Sequence, residues 1–105
     1  MKEADLVRQI AAYLAVRKVW FYRTNSGALR GASGKPVRFG TKGHPDLYAR
    51  SKPRRGKGAA RVVWIEAKAE TGTQRDAQKA FQQLAEAHGD VYILARSLED
   101  VMGVL

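Results

Sequence analysis

"GHPDLYARSKPRRGKGAARVVWIEAKAE", residues 43–70, decides the fold of this chain. Two apolar runs lie in it, one around Leu47 and one from Val62 to Ile65. Residues 46–50 and 61–69 read as strands joined by the basic turn SKPRRGKGAA. Each strand carries charge where it ought to be dry, with Asp46 opening the first and Glu66 and Lys68 ending the second. Isolated buried charge is costly, so charges at strand ends imply a partner, a metal or a solvated opening. Alternation puts Val62, Trp64, Glu66 and Lys68 on one face and Val63, Ile65, Ala67 and Ala69 on the other. The first face starts apolar and ends charged, as expected where a sheet opens into a cleft. If the two strands pair, three ionisable groups converge there.

The flanking sequence supplies the other elements. Leu6, Val7, Ile10, Ala11 and Leu14 follow helical spacing, so residues 3–16 read as an amphipathic helix with Glu3 at the N-terminal end of its apolar stripe. Residues 19–24 are rich in aromatic and β-branched types and read as a strand. From Ser26 to Gly43, five glycines and four basic residues indicate a loop, with a short strand around Val37 to Phe39. Thr73, with Asp76 three residues on, is expected to cap a second helix that stops at Gly89. Phe81 and Leu84 are expected in its core-facing stripe. Residues 91–95 form a further strand, and Ser97 is expected to cap a terminal helix. The order α-β-β-β-α-β-α describes a single α/β domain with no internal repeat.

Composition narrows the function classes. The 105 residues carry a net charge of +9 and no cysteine, which excludes a disulfide framework and thiolate metal sites. With two histidines, a structural zinc site is not expected. No stretch is long and apolar enough to span a bilayer, and MKEADLVRQI is charged rather than signal-like, so a soluble cytoplasmic protein without membrane association is expected. Segment 26–61 holds ten Lys/Arg against Asp46 alone, whereas residues 62–105 hold four against seven acids. Such concentration is either a pair of solvated basic loops or the footprint of a surface that binds a polyanion, nucleic acid first among them.

Two neighbouring carboxylates repel unless a cation or proton intervenes. Mg²⁺ suits such a pair, because it takes one or two carboxylates and otherwise keeps its waters and phosphate oxygens. A nearby lysine can offset charge and orient a water. The combination fits phosphodiester hydrolysis, which develops an anionic transition state. An ordinary strand-end salt bridge accounts for the spacing of Asp46, Glu66 and Lys68 equally well.

The wider pattern favours the first reading. Gly43-His44-Pro45-Asp46-Leu47, Trp64-Ile65-Glu66-Ala67-Lys68-Ala69, Gln78 and Gly89-Asp90-Val91-Tyr92-Ile93 follow in order. This arrangement resembles the VRR-NUC domain (virus-type replication-repair nuclease) of the PD-(D/E)XK nuclease superfamily. The likeness takes in Glu3, residues 22–27 and residues 95–101, and so nearly the whole chain. The resemblance implies a restriction-endonuclease-like α-β-β-β-α-β core with a mixed sheet flanked by helices. It implies that Asp46, Glu66 and the Ala67 carbonyl bind Mg²⁺ or Mn²⁺, with Glu3 adding a further metal contact. By the same likeness Lys68 positions the attacking water, and Gln78 reaches back to the site. One departure is Arg75, which stands three residues before Gln78 where such domains often place Ser or Thr as a helix cap.

Several other residues invite functional readings. His44 could reach a phosphate or be an ordinary loop histidine, and His88 suits a helix C-terminus. Gly34-Lys35 is not a phosphate loop, because Pro36 follows where Ser or Thr is needed. Arg23, Asn25, Arg30, Lys35, Arg38 and Lys42 before the first strand of the quoted stretch, and Lys52, Arg54, Arg55 and Lys57 in its turn, are candidate phosphate contacts. Nothing resembles a base-reading helix, so recognition by shape and backbone is expected. The two function classes are a Mg²⁺-dependent, structure-selective DNA endonuclease and a non-catalytic nucleic-acid-binding module. Stand-alone domains like this one resemble junction-resolving nucleases, which act as homodimers because resolution needs two cuts. A homodimer acting on four-way junctions is therefore expected, with Val19, Trp20 and Phe21 as adhesive surface, and a simple nicking enzyme is the alternative.

Overall fold

The hairpin formed by the 43–70 stretch is the centre of a four-stranded sheet. The computed structural model describes residues 1–24, 27–30, 36–39, 42–52 and 58–105. In chain order the elements are α1 (Glu3–Val16), β1 (Trp20–Arg23), β2 (Gly27–Arg30), β3 (Pro36–Phe39), β4 (Leu47–Arg50), β5 (Val62–Ala67), α2 (Asp76–Ala87), β6 (Val91–Ala95) and α3 (Glu99–Met102). The main sheet runs β1-β4-β5-β6. Its first three strands are antiparallel neighbours and β6 lies parallel to β5, so the sheet is mixed. The protein is therefore an α/β domain with a mixed sheet between helices, as the order of patterned segments predicts.

Helix α1 forms where its spacing requires and buries Leu6, Val7, Ile10 and Leu14. These meet Leu47, Ala49, Val63, Ile65, Ala67, Ile93 and Ala95 from the sheet, with Val101 of α3 closing the cluster. Residues with β-branched or small side chains suit this flat face, because they pack closely at little entropic cost. The other face is aromatic. Tyr22, Tyr48, Trp64 and Tyr92 stand in one row across the four strands. Helix α2 covers one end of this row, setting Phe81 edge-on to Trp64 at 5.1 Å between ring centroids.

Four local expectations are corrected. The 26–43 segment holds the expected strand, β3, but also an unexpected one, β2, and the two pair antiparallel in a two-stranded sheet of their own. Leu29, Val37 and Phe39 alternate with polar or small residues on either side of a glycine-containing connection, which is a hairpin pattern rather than a plain loop. Thr73 does not cap α2. The cap position is Arg75, and its backbone N–H donates to Gln78 Oε1 at 2.8 Å, one half of a capping box. Leu84 is exposed rather than core, since α2 meets the sheet through Phe81 and Ala85. Leu98, not Ser97, stands at the cap of α3, and Asp100 Oδ2 accepts the backbone N–H groups of Arg96 and Ser97. At the far end of α2, His88 is the C-cap and Gly89 follows at φ +87, a left-handed position that suits glycine.

Candidate active site

The Leu47–Ile65 pair places Asp46 one step beyond it, opposite Glu66. The conditional convergence of Asp46, Glu66 and Lys68 is thus realised by the register of the β4–β5 hairpin. It lies at the C-terminal end of β5, next to parallel β6, the edge at which open α/β sheets commonly present their ligand sites.

Asp46 is fixed from two sides. Thr24 N–H donates to its backbone carbonyl at 3.1 Å, and its Oδ2 accepts the Ala67 N–H at 2.8 Å. The Thr24 hydroxyl also bonds the Pro45 carbonyl, so the end of β1 holds the Pro45–Asp46 corner. Glu66 is 4% exposed, and its Oε1 accepts from Gln78 Nε2 at 3.1 Å. With Gln78 Oε1 bound to the Arg75 N–H, the amide links the first turn of α2 to Glu66. Glu66 Oε2 is buried and has no hydrogen-bond partner among the described residues. Such an orphan acceptor is rare in a folded protein and marks a place where a cation or a proton belongs.

Electrostatics sharpen that reading. Burial, followed by repulsion from Asp46, pushes the Glu66 carboxyl up to about 8. Burial also raises Asp46, against the lowering effect of its bond from Ala67. Lys68 is buried beside them and lowers both only in part, while its backbone N–H donates to Ala95 at 2.9 Å. Among the described residues the sole ion pair joins Arg8 and Asp5. Asp46, Glu66 and Lys68 therefore do not form the strand-end salt bridge that their spacing also allowed.

Among the described residues no group of three or more His, Cys, Asp or Glu side chains is placed to hold a metal. Glu3 does not join Asp46 and Glu66 in such a group. Its Oε1 faces the Ala69 N–H at 3.4 Å, and its charge raises both carboxyls from a distance. The candidate donors at this point are the two carboxylates of Asp46 and Glu66. That set is too small for a caged ion but fits Mg²⁺, which keeps several waters, and the orphan Oε2 supplies a free ligand atom.

The basic residues are distributed unevenly around this point. Arg23 is exposed at the end of β1 and close enough to lower the Asp46 pKa. Lys42 is exposed in the turn that leads into His44 and Asp46. Arg30 and Arg38 belong to β2 and β3 of the separate two-stranded sheet. Lys52 is exposed at the opposite end of the hairpin, where Ser51 N–H donates to the Arg61 carbonyl at 2.9 Å. Asn25, Lys35, Arg54, Arg55 and Lys57 lie outside the described residues. His44 packs between Trp64 and Phe81, each at 5.2 Å between ring centroids, which accounts for it as a packing residue.

Two supporting residues escape a reading of charge and periodicity. Gly43 has φ +78, and a Cβ there would lie 2.3 Å from the Ala77 carbonyl oxygen and 2.9 Å from Gln78 N. A side chain is excluded, so the loop carrying Asp46 abuts the turn carrying Gln78. The glycine directly before His44-Pro45-Asp46 is its only signal in the sequence. Arg96 binds the carbonyls of Ala69, Glu70 and Gly72 at 2.8, 3.1 and 2.7 Å and so pins the segment after Lys68. An arginine used to clamp backbone has no distinctive sequence pattern. Set against family models, curated proteins and solved structures, the chain matches none of them.

Proposed function

We infer that the protein is a Mg²⁺-dependent endonuclease that hydrolyses phosphodiester bonds in DNA. The buried, partnerless Oε2 of Glu66 beside Asp46 carries this reading. A non-catalytic binding module gains nothing from two repelling carboxylates where phosphates would approach. Asp46 and Glu66, with the Ala67 carbonyl, would hold Mg²⁺ or Mn²⁺, which when bound would supply positive charge to the developing anionic transition state and make water a better acid. Asp46 is oriented by Ala67 N–H and Glu66 by Gln78, so both ligands are held before substrate arrives. Lys68 orients the attacking water and contacts the scissile phosphate. The water oxygen bonds to phosphorus as one phosphorus–sugar oxygen bond breaks; the attacking water gives a proton to solvent, and the leaving sugar oxygen takes one up from solvent to become the alcohol. Arg23 and Lys42 hold the flanking phosphates.

Branched duplexes, with four-way junctions foremost, are the substrate class in this reading, and a homodimer provides the two sites that paired cuts require. Val19 and Phe21 pack against the core, so only Trp20 of the proposed adhesive trio remains exposed. The dimer therefore rests on the symmetry of paired cutting. The test is incubation of labelled duplex, flap, splayed and four-way DNAs with and without Mg²⁺ or Mn²⁺. Metal-dependent cleavage that Glu66→Ala abolishes supports the assignment. Cleavage unchanged in folded Glu66→Ala overturns it.

A further inference from the structure

The aromatic row is continuous with the acidic site but is only half covered. Phe81 of α2 packs on Trp64 and Tyr92, and among the described residues no helix packs over the β1–β4 side of this face. There, on the edge strand β1, Trp20 is 62% and Tyr22 is 50% exposed, and together they form an exposed aromatic patch. Tyr22 stacks on Tyr48 at 4.7 Å with 27° between ring planes, and Tyr48 meets Trp64 at 5.1 Å. Trp20 stands edge-on to Tyr48 at 6.3 Å and carries the Arg50 guanidinium 5.6 Å from its ring centroid. Trp20 and Tyr22 are thus held by neighbouring groups while at least half of each stays exposed. Tyr22 is followed directly by Arg23 and Thr24, and Thr24 holds Asp46.

Charge decides what such a surface takes. The chain entering and leaving β1 carries Arg17, Lys18 and Arg23, and β4 leads through Arg50 to Lys52. A second copy docked here about a two-fold axis would bring these cations against their own equivalents. A single-stranded nucleic acid presents π-faces for the rings and phosphates for the cations at once. A duplex hides its base faces and offers only the phosphates.

We propose that Trp20, Tyr22 and Tyr48, with Arg50, form a stacking platform for unpaired nucleotides of a DNA strand that leads to the acidic site. The location of the cut relies on the nuclease reading, whereas binding by the platform does not. Among branched DNAs the platform would then favour those with unpaired nucleotides at the branch point, because only there are base faces available beside a scissile phosphate.

Fluorescence anisotropy with labelled oligothymidylate, in chelator so that no cleavage intervenes, tests the platform. Trp20→Ala and Tyr22→Ala should each weaken binding by about 5- to 50-fold, while Tyr22→Phe retains it. An abasic oligonucleotide of equal length, carrying the same phosphates, should bind wild type and both alanine variants alike. Both positions are exposed, and circular dichroism verifies the fold. Equal losses on the abasic strand, no loss on oligothymidylate, or no binding by wild type overturns the platform. So does light scattering in which Trp20→Ala halves the mass of an assembly, since the face would then be a contact between copies. Failure of wild type to cleave any duplex, flap, splayed or four-way DNA with Mg²⁺ or Mn²⁺, while oligothymidylate binding still depends on Trp20 and Tyr22, would count against the nuclease reading alone.

Discussion

The two faces of one sheet are built by opposite rules. Towards α1 the side chains are Leu47, Ala49, Val63, Ile65, Ala67 and Ala95, dry and closely packed. Towards α2 the same strands carry Tyr48, Trp64 and Glu66, in a partly open layer that ends in charge. Residues one apart on β5 therefore serve different ends. Ile65 contributes burial, at about 25 cal/mol per Å² of apolar area removed from water, and that energy can support the unfavourable burial of Glu66 next to it. A sheet can hold a repelling pair of carboxylates because its reverse side is firmly anchored.

The sharpest way to break this contrast is to exchange the consequences of mutation across it. Glu66→Ala or Asp46→Ala should lower metal-dependent cleavage at least about a thousandfold, with urea unfolding showing a stable protein. Lys68→Ala should lose cleavage comparably. Ile65→Ala, one residue away, should instead cost about 2–5 kcal/mol in the same unfolding experiment. A Glu66→Ala protein that unfolds like Ile65→Ala would mean that both faces serve packing.

Gly43→Ala tests the joint between the faces. The Cβ clash with Ala77 and the φ of +78 should cost about 1–3 kcal/mol. Because the first turn of α2 must retreat, Gln78 moves from Glu66 and cleavage should fall further than stability alone explains. Gln78→Ala, which removes the brace without the clash, should reduce cleavage about 10- to 100-fold while leaving unfolding nearly unchanged. Cleavage at the wild-type rate in both variants would show that the brace is dispensable.

A smaller effect follows from the raised Glu66 carboxyl in metal-free protein. Its folded pKa of about 8 exceeds the ordinary 4.5, so the folded state keeps a proton that the unfolded chain has lost. The stability linked to this group is full below about pH 4.5 and falls as pH rises through 8. In chelator, wild type should lose on the order of 2 kcal/mol relative to Glu66→Gln between pH 5 and pH 9. Parallel stability curves would place Glu66 in water rather than in the sheet.

The sequence was most legible where one periodicity governed. The i, i+3, i+4 spacing located α1, and alternation assigned each residue from Val62 to Ala67 its face. The pairing that brings Asp46 to Glu66 followed from hairpin geometry. What escaped depended on contacts between distant segments. Leu84 continues a helical stripe, but only the neighbouring sheet determines where that stripe stops being covered. Thr73 has the chemistry of a cap, yet Arg75 occupies the position, because Gln78 must point at once to its own helix start and to Glu66. Gly43 shows its purpose only when Ala77, distant in sequence, lies against it.

The hairpin orientation also sets a length scale. The chain departs from the acidic end at Asp46 and reaches Ser51 five residues later, where it meets Arg61 at the opposite end of the sheet. At about 3.4 Å per residue this is a span of roughly 17 Å. Stacked base pairs rise by about 3.4 Å as well. Were the proposed DNA to run along the strands, a phosphate near Lys52 would lie about five base pairs from one between Asp46 and Glu66. The hairpin would then act as a ruler, and inserting two residues into each of β4 and β5 should move its distal end outward by about two base pairs.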